Sequence, residues 1–156
     1  MPVRFFTARF NVSLLFIKSK EFGLTLGFYV DDFLQQGAIM ASSDLKYNDV
    51  QVMLADPRTH IRSSLKVALT HAGLENIEHT GTLEGVADAM EQSIGPDILI
   101  CDMGLGDGKI MELISNVRHN DLGKNPFLCV IGISWESQAQ DVIRMINCGI
   151  DHLVTA

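Results

Sequence analysis

From Val50 onward the apolar positions alternate between two spacings. VQVMLA (50–55) is a continuous apolar run of strand length, after which Ile61, Leu65, Ala68, Leu69 and Ala72 recur at helical spacing until Gly73 closes the run. NIEHT (76–80) reads as a short strand, Leu83, Val86, Ala87 and Met90 share a helical face, and Gly95 and Pro96 punctuate before the strand DILIC (97–101). A Gly-rich turn leads to a helix marked by Ile110, Leu113, Ile114 and Val117, and the Asn125-Pro126 loop leads to FLCVIGI (127–133). Ser137 and Gln140 have the spacing of a capping box, Ala139, Val142, Ile143 and Ile146 share a face, and Gly149 is a natural C-terminal stop before HLVT (152–155). Five strands alternating with four helices predict an α/β fold, because parallel strands need crossover connections and those are right-handed helices. The expected architecture is a doubly wound five-stranded parallel sheet.

In such sheets a ligand site lies beyond the carboxyl ends of the strands, where the strand order reverses. Three polar side chains end strands in this chain: Asp56 after VQVMLA, Asp102 after DILIC, and Ser134 after FLCVIGI. The stretch ILICDMGLGDG (98–108) carries a carboxylate to the mouth of a buried strand, which is a costly place for a charge without a partner or a task. Asp56 precedes Pro57 and also suits a helix N-cap, while Ser134 also suits a loop hydroxyl. Asp107-Gly108 is most simply a turn. Gly104, Gly106 and Gly108 match the spacing of neither a P-loop nor a dinucleotide fingerprint, and the five scattered histidines offer no ligand pair.

Charge narrows the partners. Residues 1–49 carry five basic and five acidic side chains and residues 50–156 seven and fourteen, so the formal net charge of -7 belongs to the second part. An acidic unit without a basic cluster repels phosphate backbones, which argues against direct nucleic-acid binding and for a cation or a basic protein face. Cys101, Cys129 and Cys148 are odd in number and set among apolar neighbours, as buried thiols of a reducing, cytoplasmic compartment are. The first 49 residues are patterned differently. VSLLFI (12–17) and GLTLGFYV (23–30) both fall short of the roughly 20 apolar residues that span a bilayer, so no membrane segment is expected. The segment reads as an N-terminal extension of unknown role, an added hairpin or partner-binding arm, with a natural start at Met40 as the alternative.

The order and spacing of Asp56, Arg62 and Leu65, PDILICD (96–102), LGDG (105–108), Ser134 and CGIDHL (148–153) make residues 50–156 resemble the receiver domain of two-component response regulators. The resemblance implies a flavodoxin-like sheet with strand order 2-1-3-4-5. It implies that Asp102 is the phosphoacceptor and that Ser134 is the hydroxyl that senses the phosphoryl group. It also implies that Asp56, Asp102 and the backbone carbonyl of Gly104 hold Mg²⁺, a hard cation that relieves repulsion between neighbouring carboxylates. The implied partners are a histidine kinase or phosphotransfer protein and a downstream protein, with a homodimer left open. The implied role is phosphorelay signalling rather than enzymatic turnover.

Several positions depart from the family. Its acid pair falls on Asp56 and Pro57, its loop proline on Gly106, its aromatic switch on Leu153 and its lysine on Ala156, and its last helix is missing. The missing acid predicts a weakened Mg²⁺ site, and each lost electrostatic group costs about 2.7 to 4 kcal/mol of transition-state stabilisation in comparable sites, so slow or absent phosphorylation is expected. The alternative reading is a pseudo-receiver that binds a protein partner without being phosphorylated. A small flavodoxin-like enzyme or cofactor binder is disfavoured, because neither a phosphate cradle nor a general base is visible.

Overall fold

The computed structural model describes residues 16–18, 25–27, 49–93, 95–135 and 138–155. Strands β1 (Phe16–Lys18) and β2 (Thr25–Gly27) pair antiparallel in a small sheet of their own. The remaining elements alternate: β3 (Val52–Ala55), α1 (Thr59–His71), β4 (Ile77–Thr80), α2 (Leu83–Glu91), β5 (Ile98–Asp102), α3 (Ile110–Arg118), β6 (Cys129–Ser134), α4 (Ala139–Asn147) and β7 (His152–Thr155). The five strands β3 to β7 are all parallel and lie in the order β4-β3-β5-β6-β7. Counted from Val50, that is the expected order 2-1-3-4-5, with the reversal between β3 and β5.

The two faces of the sheet follow from side-chain alternation along each strand. Val52 and Leu54 of β3 face α1, where Leu69 packs with them and with Ile100, Ile131 and Ile133. Met53 and Ala55 face the other way, into the larger cluster built by α2, α3 and Met145 of α4. In α3 all four apolar positions of the periodic pattern, Ile110, Leu113, Ile114 and Val117, are buried.

Two expectations are corrected. Strand β6 starts at Cys129 rather than Phe127, whose side chain is 86% exposed. The Phe127 backbone N–H donates to Asn125 Oδ1 at 3.1 Å, so the Asn-Pro turn extends one residue further before the chain enters the sheet. In α4 the expected face of Ala139, Val142, Ile143 and Ile146 is not the buried one. Met145 is buried and Cys148 packs against the same cluster, while Ile143 and Ile146 are exposed. The sequence of α4 offers two overlapping apolar stripes, and packing selects the one that carries methionine. Gln138 occupies the N-cap of α4 without a side-chain cap, and Ser137 of the expected capping box lies outside the described residues.

Candidate functional site

The parallel register brings three strand ends to one edge. Ala55 pairs with Cys101 and Asp102 pairs with Ile133, so Asp56, which follows β3, and Ser134, the last residue of β6, flank Asp102 at the carboxyl ends of the strands. Asp56 is 2% exposed, Asp102 7% and Ser134 2%, and these are the buried polar residues among those described. The sequence reading named the same three.

What sequence reading missed is the residue that joins the two acids. Arg58, at the N-cap of α1, donates from Nε to Asp56 Oδ1 at 2.9 Å and from Nη2 to Asp56 Oδ2 at 2.7 Å. The same Nη2 reaches Asp102 Oδ2 at 2.6 Å, so one guanidinium bridges carboxylates 46 positions apart in the chain. The Arg58 backbone N–H also donates to Asp56 Oδ1, at 2.8 Å. Asp56 is thus not the N-cap of α1, a position that Arg58 takes without a side-chain cap; its carboxylate instead accepts within the turn that leads into the helix and stands beside Asp102. Hydrogen bonding to Asp56, and then the charges of Asp56 and Asp102, raise the pKa of Arg58 above its ordinary value against the opposing effect of partial burial. The indole of Trp135, just after β6, lies 4.7 Å from the guanidinium carbon, ring centroid to Cζ, at cation–π distance.

The signal for Arg58 was present in the sequence. Where the family that this chain resembles carries a second acid, the chain has Pro57, and the next residue is a cation beside two crowded carboxylates that need one. Arg62, part of the resemblance, works on the backbone instead. It donates to the Asp56 carbonyl and, at 3.2 Å, to Thr59 Oγ1, which fixes the β3–α1 turn.

The loop after Asp102 meets the other oxygen of its carboxylate. Gly104 N–H donates to Asp102 Oδ1 at 2.7 Å, and the Gly104 carbonyl accepts from Gly108 N–H at 3.3 Å. Three successive residues, Gly106, Asp107 and Gly108, have φ of +63°, +57° and +84°. Proline is locked near −65°, so the loop proline of the resembled family has no place in this conformation. Gly106→Pro is expected to destabilise the fold by more than about 1 kcal/mol, read as a lowered urea midpoint with an unchanged slope. Leu153, at the family's aromatic switch position, pairs with Gly132 and packs against the larger core cluster; Ala156 lies outside the described residues.

The donor set fits a divalent cation poorly. All four oxygens of Asp56 and Asp102 already accept hydrogen bonds, the Gly104 carbonyl is used within its own turn, and no cluster of three His, Cys, Asp or Glu side chains suited to a metal occurs among the described residues. The cysteines are free thiols; burial raises the pKa of all three, most strongly that of the fully buried Cys101, which leaves little thiolate for chemistry. His60, His71 and His119 are exposed on helices or just past them. No described helix is long and apolar enough to cross a membrane.

No family model and no curated protein matches the sequence. Solved structures do match its fold. The BeF3-activated DrrB receiver domain is 18% identical over 68% of this chain and 83% of its own, with a TM-score of 0.57. The chemotaxis response regulator CheY4 of Vibrio cholerae is 20% identical over 68% of this chain and 85% of its own, with a TM-score of 0.58. A response regulator of Burkholderia pseudomallei, solved with a phosphorylated aspartic acid, a calcium ion and citrate, is 14% identical over 69% of this chain, with a TM-score of 0.58; this chain spans 59% of its length. At these identities the likeness is one of fold, and the fold is that of receiver domains.

Proposed function

We propose that residues 50–156 act as a receiver module in two-component signalling, with Asp102 taking a phosphoryl group from the phosphohistidine of a histidine kinase or phosphotransfer protein. The supporting observation is that Asp56, Asp102 and Ser134, at the carboxyl ends of three adjacent strands, are the buried polar residues among those described. In the transfer an Asp102 oxygen attacks phosphorus, the donor P–N bond breaks, and the electron pair returns to the imidazole, which takes a proton from water. Phosphoryl transfer asks the protein chiefly for position and charge. Arg58 offers a planar fork that suits phosphoryl oxygens, and Ser134 offers a hydroxyl donor. Trp135, just after β6, lies over Arg58, so a change at the two carboxylates reaches an exposed ring that a downstream protein partner reads. Such a module works in the cytoplasm, where kinases present phosphohistidine.

A second reading is a module that binds its partner without phosphorylation, favoured by the hold of Arg58 on both carboxylates. The two separate on incubating the full chain with acetyl phosphate or beryllofluoride, with and without Mg²⁺. An adduct that disappears in Asp102→Asn is expected from the first reading. No adduct at millimolar donor, in a chain that keeps its native circular dichroism, supports the second.

A further inference from the structure

We propose that Arg58 is the resident cation of the pocket: its guanidinium takes the place of a divalent metal between Asp56 and Asp102, and the native pocket therefore takes up neither Mg²⁺ nor Mn²⁺.

The geometry is that of a filled site. The guanidinium grips Asp56 through two parallel contacts of 2.9 and 2.7 Å, the fork arrangement that makes arginine–carboxylate pairs both strong and directional. Its Nη2 makes the short 2.6 Å contact to Asp102. A Mg²⁺ ion needs oxygen ligands at about 2.0–2.1 Å in near-octahedral array, and those ligands must present lone pairs to it. Here each of the four carboxylate oxygens already has at least one lone pair directed at a donor, Arg58 N, Nε or Nη2 or Gly104 N. A metal entering would have to displace the guanidinium and meet its charge at contact distance.

Charge balance agrees. In the family that this chain resembles, two further acids accompany the acceptor, and a dication leaves the set with one net negative charge. With Pro57 in place of one acid, a monovalent guanidinium leaves the same charge on the acids and their cation, the family's lysine, which falls on Ala156 here, being counted in neither set. The substitution at 57 and the bridging cation at 58 thus read as two halves of one change. Arg58 is also held on its far side, because the Trp135 ring lies over it and its backbone N–H is fixed to Asp56.

The test uses Mn²⁺ alone, without phosphodonor, so its outcome is independent of whether Asp102 is ever phosphorylated. Bound Mn²⁺ is counted by loss of the free-ion electron paramagnetic resonance signal. Emission of Trp135, the one tryptophan of the chain, reports the pocket in parallel. The native chain is expected to bind no Mn²⁺ at low millimolar concentration and to keep its emission unchanged. Arg58→Ala leaves two carboxylates facing each other and is expected to bind one equivalent at least about tenfold more tightly than the native chain, the scale on which one adjacent charge acts on a carboxylate. That binding should disappear when Asp56→Asn is added. Arg58→Gln, which keeps polarity and bulk, carries the same comparison if the alanine variant does not fold. Saturable Mn²⁺ binding by the native chain that Asp56→Asn abolishes would overturn the proposal. So would a folded Arg58 variant that binds Mn²⁺ no better than the native chain.

Discussion

Arg118→Met is expected to destabilise the protein by about 3 kcal/mol, since hydrogen bonds from a charged donor contribute roughly 1.5 to 3 kcal/mol each and several go at once. Arg118 ends α3 and ties two separate loops together, the one that leads into β6 and the one that leads into β7. Its Nε donates to the Gly149 carbonyl at 2.8 Å, its Nη1 to the carbonyls of Pro126 and Leu128 at 2.7 and 2.8 Å, and its Nη2 to Asp151 at 2.7 Å. Asp151 Oδ2 in turn accepts the Val130 N–H at 2.7 Å. One guanidinium therefore sets where β6 and β7 enter the sheet, and so where Ser134 leaves it. Methionine keeps an apolar stem against Gly149, so the loss reports the polar network rather than a cavity. Urea unfolding followed by circular dichroism measures it. A change below about 1 kcal/mol would mean that water replaces the guanidinium at these carbonyls.

Leu54→Ala is expected to cost more, about 3 to 5 kcal/mol, at the upper end of what buried leucines lose. Leu54 has 0% exposure on β3, one of the two strands on either side of the reversal point, and it packs with Leu69, Ile100 and Ile131. Neighbours on a sheet and a helix cannot close a vacated volume by moving one side chain, so the cavity term adds to the transfer term. The thermal midpoint and the urea midpoint should fall together. The position also bears on the site, because Leu54 lies two residues before Asp56, which directly follows β3, and a loosened β3 would release the Arg58 bridge. Trp135 emission should change before the main unfolding transition in this variant and not in Arg118→Met.

The sheet was legible because its signals are local. Four apolar residues at helical spacing in α3 can bury only one way, and short apolar runs ended by Asp56, Asp102 and Ser134 gave both the strands and the edge to which they point. Boundaries were less legible where a turn borrowed an apolar residue, as at Phe127, and where a helix offered two apolar stripes, as in α4. The least legible parts were the contacts that depend on the finished fold. Arg58 meets Asp102 across 44 positions and Arg118 meets Asp151 across 33, and no periodicity within either segment encodes those meetings. What the sequence did hold was the imbalance that Arg58 resolves, two carboxylates at one sheet edge with a proline where the resembled family has a third.

In the proposed phosphoryl transfer Asp102 is the nucleophile. The most direct test of that role is to treat the full chain with acetyl phosphate, reduce it with borohydride so that an acyl phosphate becomes homoserine, and locate the product by tandem mass spectrometry. Homoserine at position 102, with Asp56, Asp97 and Asp107 untouched, is the predicted result. Homoserine at another aspartate, or none in a chain that keeps its native circular dichroism, would contradict it.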